Sequence, residues 1–428
     1  MSAKDLRRRR GAWSNVALES ASLAAQSIRS QPMRSALAII GVVIGIVTVV
    51  VVTSVLAGLR NQVALLFREF GTENIFAFHL TGDPYSAASQ AEAQRKPLDP
   101  AFAGELPRLG EHIRDVGVQV IVPAVLNGRV LLARGGGNES DTVLVEAVSP
   151  NYFDVTSADL AAGRPFTDLE DRAGARVAVI GSNIAKALYG RGHSLGKELV
   201  LAGTAFSVVG EAAPRKGGFF GENRQDNVVA IPVGAARRLF PDADSTVLYI
   251  RARPGQRDAA RSEAEAILRR LRRLGPAQAN DFNLSTADQI IAQFDRLSAV
   301  IGLVSVALAG VSLLIGGIGI ANVMLIAVTE RTREIGIRRA VGAQRGEVLR
   351  QFLLEAAMLS VAGGLVGVLL AGAFGLLLAL ALPGFPAIPP LPVVGIALAV
   401  SFLAGILAGF GPARRAAALE PVEALRYE

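Results

Sequence analysis

Two long stretches of this chain carry no charged side chain: Leu297 to Thr329 and Ala356 to Ala413. A third, Ser35 to Leu59, lies near the amino end. About 20 apolar residues suffice to cross a bilayer, because a helix rising 1.5 Å per residue then spans a hydrocarbon core of roughly 30 Å. The last run is long enough for two crossings, and five prolines between Pro383 and Pro392 divide it. The sequence therefore predicts four spans: 35–59, 298–328, 351–382 and 393–412, with an outer hairpin at 383–392.

The charges then orient the chain. Arg7 to Arg10, the arginines between Thr329 and Arg350, and Arg414-Arg415 flank the spans. Positive loops stay in the cytoplasm, and four spans put all three basic segments on one side. Residues 1–34 and 413–428 are then cytoplasmic, and 60–297 lie outside. Trp13 to Ser30 fits a modestly amphipathic helix on the inner membrane face or a plain cytoplasmic helix. The net charge of +7 comes from these flanks. It points to contact with membrane lipid headgroups, not to nucleic acid.

Inside the spans, Gly41/Gly45 and Gly363/Gly367 have the GxxxG spacing that lets two helices approach closely, and Gly405/Gly409 repeat it. Beyond the first span, Leu59, Val63, Leu66 and Phe70 continue an apolar stripe. Ile290, Phe294, Leu297 and Ile301 repeat its spacing before the second. These seams fit a two-helix stalk, and equally ordinary amphipathic packing.

Residues 60–297 have a different character, with an α+β pattern. Strands are predicted at Asn74–Leu80, Val118–Val122, Arg129–Ala133, Thr142–Val148, Val177–Ile180, Val228–Ile231 and Val247–Arg251, with a hairpin turning at Gly203-Thr204. Helices are predicted at Asp99–Ile113 and Asp258–Leu274. Arg269, Arg270, Arg272 and Arg273 read as a solvated helix face. Gly217 to Gly221, with Phe219 and Phe220, is a loop that could meet a substrate or partner, or be a bland turn.

Little in the chain points to catalysis. It has no cysteine, and His79, His112 and His193 are far apart and suit surface or packing roles. There is no GxxxxGK[ST] loop, no metal motif and no nucleophile-and-base motif, so no cofactor and no enzyme activity are assigned to it. The spans lack the charges that mark ion pathways; Glu355, at the start of the third, can reach the interface. The best functional candidate is the charged island 329–350, read as a short loop between spans. Glu330, Glu334, Arg338 and Arg339 lie there at helical spacing. A solvated loop held by internal ion pairs is the plain alternative.

The order and motifs of the chain resemble the MacB/FtsX-type permeases of ABC transporters. ERTREIGIRRAVGA (Glu330 to Ala343) resembles the cytoplasmic segment of that family, and Gln351 to Ala371 its third span. Met33 to Ile46 resembles the start of its first span. SPNYFDV, AAGRPF, VAVIG and FSVVGEA resemble its periplasmic core domain. MacB proper carries its ATPase domain on the same chain; the sequence ending at Glu428 leads to the expectation of a separate ABC ATPase subunit that uses the ATP. The resemblance further implies a homodimer or a pair with a similar permease. It implies a role in ATPase coupling for Glu330, Arg331, Arg333, Glu334, Ile335, Gly336, Arg338, Arg339, Gly342 and Ala343. The core domain would divide into a porter-like part, 60–120 and 225–297, and an inserted β-rich part, 121–224. Efflux of a peptide, drug or similar substrate is implied, with a periplasmic adaptor and outer-membrane channel as further partners. FtsX-like regulation of a wall hydrolase and lipoprotein release are the alternatives within the resemblance.

Overall fold

The computed structural model describes residues 32–69, 71, 73–80, 90–126, 129–190, 192–215, 223–381 and 388–426. The readings of Arg7–Arg10, Trp13–Ser30, Phe70, Gly217–Gly221 and the first part of the outer hairpin lie outside these residues. Ten helices are labelled here: α1 (Pro32–Glu69), α2 (Phe102–Leu109), α3 (Ser182–Tyr189), α4 (Val233–Leu239), α5 (Arg257–Leu271), α6 (Ala287–Glu330), α7 (Thr332–Ala340), α8 (Arg345–Ala381), α9 (Leu391–Ala418) and α10 (Pro421–Arg426). The chain divides into a membrane unit, residues 1–59 and 296–428, and an outer unit, residues 60–295.

In the membrane unit, four helices (α1, α6, α8 and α9) are long and apolar enough to cross a bilayer. The Val- and Ile-rich run of α1 has a composition that in water would favour a strand. In lipid, every backbone polar group needs an internal partner, and only the helix supplies that within one segment. The hydroxyls follow the same rule. Thr48, Thr53 and Ser54 donate to the carbonyls of Ile44, Val49 and Val50 at 2.6–2.8 Å. Helix α6 has 44 residues, about 66 Å of helix, twice what a bilayer core requires.

The glycines set the interhelical spacing. A Cβ on Gly41 would lie 2.7 Å from Gly316 Cα, so α1 and α6 touch backbone to backbone. On α8, Gly363 faces Val42 and Gly367 faces Ile46, each with a would-be Cβ 3.0–3.2 Å from side-chain carbons of α1. Helices α8 and α9 are joined by Gly405 against Ala357, and by a reciprocal pair in which the Ser360 and Ser401 hydroxyls each donate to the other's carbonyl at 2.6 Å. Spacing alone pointed to these glycines; the serine pair left no signal in the sequence.

The cost of filling such a contact is testable. Gly41→Leu forces two backbones apart and is expected to destabilise the bundle by at least about 1–3 kcal/mol. Gly310→Leu, elsewhere on α6 with nothing within 4 Å of its Cβ position, is expected to be neutral. Unfolding in mixed micelles at rising SDS fraction separates the two; equal midpoints would contradict the contact.

The outer unit is built on one twelve-stranded sheet. The described strands of the unit, twelve in this sheet and two in a separate hairpin, are β1 (Asn74–Phe78), β2 (Ile113–Ile121), β3 (Val125–Leu126), β4 (Arg129–Val130), β5 (Ala133–Gly135), β6 (Asn138–Ser140), β7 (Leu144–Val148), β8 (Leu160–Gly163), β9 (Val177–Ile180), β10 (Glu198–Leu201), β11 (Thr204–Ala212), β12 (Val228–Pro232), β13 (Thr246–Ala252) and β14 (Asn283–Thr286). Pairing runs β14-β1-β13-β2-β7-β12-β9-β11-β10-β5-β6, with β8 added beside β11; β3 and β4 form a separate hairpin. The first four strands are antiparallel. They meet the rest at β2–β7, where Gln119 pairs with Val148, Val120 with Ala147 and Ile121 with Glu146. Strand β12 lies between β7, to which it is parallel, and β9, to which it is antiparallel.

Alternation along the strands makes two apolar faces. One, with Ile75, Val118, Leu248 and Ile250, is covered by helices, including α2 through Leu106 and α5 through Leu268. The other is aromatic: Phe76, Tyr249, Tyr152, Phe153 and Phe166 form a chain of edge-to-face contacts with centroids 5.3–5.9 Å apart. The predicted hairpin is present, turning through Ala202 and Gly203 at positive φ.

The arginines of α5 are not simply a solvated face. The Arg272 side chain is 7% exposed, pairs with Asp281 at 2.6 Å and donates to the carbonyls of Lys96 and Pro97. Arg269 donates to Asn280 and to the Gly275 carbonyl. Their guanidinium forks tie the chain after α5 to neighbouring loops, a role that periodicity cannot reveal.

Candidate functional site

The island 329–350 is a helix, not a loop. Helix α6 runs to Glu330, α7 begins at Thr332, and α8 begins at Arg345. The break after α7 is a glycine stop. Gly342 has φ +111°, its N–H reaches the Arg339 carbonyl, and the Ala343 N–H reaches that of Arg338. This is a Schellman pattern, which needs a residue without Cβ at the turn. Glu347, in the first turn of α8, accepts the Gln344 N–H at 3.0 Å and caps its start.

Three anchors hold α7. Arg331 reaches Glu355 on α8, Nη1 to Oε1 at 3.3 Å, and Glu355 is 1% exposed. This carboxylate is therefore buried against Arg331 rather than reaching outward. Arg339 donates to the carbonyl of Ala417 near the end of α9 at 2.8 Å. Gly336 lies against Ala424 of α10, where a Cβ would approach the Ala424 Cβ to 2.6 Å. Ile335 completes the inner face within the membrane unit's core.

The opposite face is open. Ile337 is 47% and Val341 is 85% exposed. Arg333, Glu334 and Arg338 are exposed around them. Arg338 bonds Glu334 one turn back at 2.5 Å and Gln351 of α8 at 2.9 Å. The helix thus presents an apolar pair, one turn apart, rimmed by a partly neutralised cationic cluster. Sequence spacing identified the charges; it missed Glu355, Gln351 and the Ala417 carbonyl as partners of the arginines. Those lie 13 or more residues away, on other helices.

The apolar stripe outside the first and second spans divides in the structure. Leu66 and Ile290 pack against the aromatic cluster of the outer unit, and Val63 is buried. Leu59 and Phe294 are half-buried. Leu297 and Ile301 are 61% and 40% exposed, so no closed seam includes them within one chain. Arg60 and Asp295 join the two helices in a two-pronged ion pair at 2.7 and 3.1 Å.

A deeply buried carboxylate of the outer unit, Glu146, was not singled out from the sequence. Glu146 of β7 is 2% exposed; its Oε1 accepts from Gln225 at 3.3 Å, and its Oε2 has no partner among the described residues. Burial pushes its pKa up from 4.5 to about 7, and the Gln225 and Gln119 amides and the Arg215 charge offset only part of this. The signal was a single acid inside the apolar strand Leu144–Val148. No group of three or more His, Cys, Asp or Glu among the described residues is placed to hold a metal ion.

Comparison with known proteins bears on both units. The family model described as the MacB-like periplasmic core domain matches residues 35–267, and the model of the FtsX-like permease C-terminal region matches 306–421. The chain is 34% identical over 440 residues to the pyoverdine export ATP-binding/permease protein PvdT of Pseudomonas entomophila, covering 100% of this chain and 64% of that protein. It is 33% identical over 412 residues to the macrolide export ATP-binding/permease protein MacB of Chromobacterium violaceum, covering 96% and 61%. The chain thus spans just under two thirds of the length of these relatives. A solved structure of the periplasmic region of MacB from Actinobacillus actinomycetemcomitans is similar at TM-score 0.42 and 17% identity, over 54% of this chain and 95% of that one.

Proposed function

The chain belongs to the permeases that join a MacB-like periplasmic core domain to an FtsX-like C-terminal region, and we propose that it carries ATP-driven motion from an ABC ATPase to its outer unit. The observation that carries this reading is α7. Its exposed face offers Ile337 and Val341 to a partner, while its inner face is fastened to α8, α9 and α10. A push on such a helix moves the bundle with it. A helix held only by solvent would absorb the push.

The proposal extends to cargo and assembly. Export of a peptide, drug or similar molecule from the periplasm is supported by the names of the relatives, which export pyoverdine and macrolides. Among the described residues of the spans, the buried polar side chains are bonded within the bundle: Ser360 and Ser401 bond each other, Ser54 and Ser305 donate to their own helices, and Glu355 pairs with Arg331 at the α7 end. Action on cargo already outside is the consistent mechanism. In the proposed dimer, the exposed Leu297 and Ile301 of α6 face the second permease chain. Both termini lie in the cytoplasm, and the protein sits in the inner membrane as a multi-pass chain.

The test is recovery of the ATPase. Tagged chain taken from its host membranes in mild detergent is expected to bring an ABC ATPase with it. Ile337→Asp with Val341→Asp is expected to cut that recovery at least about tenfold, since each charge must be desolvated at the contact. Undiminished recovery with the double variant would move the coupling site elsewhere. A wall hydrolase in place of an adaptor or channel would favour the regulatory role.

A further inference from the structure

The outer unit has a cleft of about 430 Å³ over the β2–β7 joint, where the two halves of the sheet meet. Clefts at such junctions, in this size range, are the usual sites of small-molecule binding. Its floor is the cross-strand pair Val120 and Ala147, with the buried Thr246 beside it. One wall is the segment from Lys96 to Pro100, which precedes α2. The other is α4 and the turn that follows it, through Ala236, Arg237 and Asp244.

The first wall is built, not loose. Arg272 holds the carbonyls of Lys96 and Pro97 at 2.8 and 3.1 Å while paired with Asp281, and Leu98 is buried in the core. The main chain of Lys96 is thereby held at the rim, with its side chain exposed. Each wall presents one exposed cation, Lys96 on the first and Arg237 on the second. The lining carries one carboxylate, Asp244, whose main-chain oxygen accepts from the Thr246 hydroxyl. The trough is therefore apolar at its base and cationic in balance at its edge.

We propose that this cleft binds an amphipathic carboxylate, with the apolar body over Val120 and Ala147 and the acid group toward Lys96 and Arg237. Apolar burial supplies the attraction, and the two cations select the sign of the head group. A ligand seated there touches both halves of the sheet. The inference is independent of the transport reading, because its test needs neither ATPase nor flux.

The test is equilibrium dialysis of the full chain in zwitterionic-lipid nanodiscs against 2-naphthoate, with empty nanodiscs as the blank and 2-naphthalenemethanol as the neutral counterpart. Saturable naphthoate binding above the blank is expected. The double variant Lys96→Gln/Arg237→Gln should weaken it about tenfold or more, and Asp244→Asn should tighten it about threefold. The neutral alcohol should respond to neither change. All three substitutions are at exposed side chains, so the fold is kept. Naphthoate binding no greater than the blank overturns the site. Affinity unmoved by the double variant, or an alcohol weakened as much as the acid, overturns the carboxylate assignment.

Discussion

Glu146→Gln is expected to stabilise the outer unit by about 3 kcal/mol at pH 8 and to leave it unchanged near pH 4. The carboxyl's folded pKa is raised from 4.5 to about 7, and each pKa unit is worth about 1.4 kcal/mol. A raised folded pKa gives stability that is fully present below the unfolded value. It is lost as pH rises through the folded value. At pH 8 the parent protein must hold an ionised carboxylate whose Oε2 has no partner among the described residues. Glutamine keeps the shape and the Gln225 contact without that charge. Hydrogen exchange at the β7 and β12 amides, compared between variant and parent at each pH, measures the difference. Equal protection at pH 8 would mean that water or another group solvates Glu146.

The second large effect concerns Glu355. Glu355→Leu removes the buried carboxylate that Arg331 reaches from its partly exposed position, and a loss of about 1–3 kcal/mol is expected. The double variant Arg331→Met/Glu355→Leu should recover most of that stability, because two apolar side chains need no partner there. SDS-titrated unfolding of both variants checks this, and a single variant as stable as the parent would remove the ion pair as an anchor. The double variant also separates stability from transmission. If α7 drives the bundle through this anchor, the double variant unfolds like the parent, yet stimulates the ATPase less.

These sites were legible in the sequence to different degrees. The four candidate spans followed from the charge-free runs, since the bilayer excludes charge and demands internally bonded backbone. Gly41, Gly45, Gly363 and Gly367 were readable because close helix contact favours a particular residue at a particular spacing, and each meets a neighbouring helix. Strands such as Val177–Ile180 were readable from their apolar composition.

Other features depended on partners distant in the chain. Charge density alone made the island look like a loop. It is a helix because Ile335 and Gly336 have a core and α10 to pack against, and because Glu355 waits on another helix. Arg272 looked solvated, being one of four arginines in five residues, until Asp281 and two carbonyls came to it. The pKa of Glu146 and the trough over Val120 and Ala147 exist only where β2, β7 and β12 are side by side. The sequence by itself determined which segments are long and apolar enough to cross a membrane and which glycine spacings allow close helix contact, because both are written in each segment's own composition. Tertiary structure alone decided which charges are buried, what anchors α7 and where a cleft opens, because burial and pairing are properties of several segments at once.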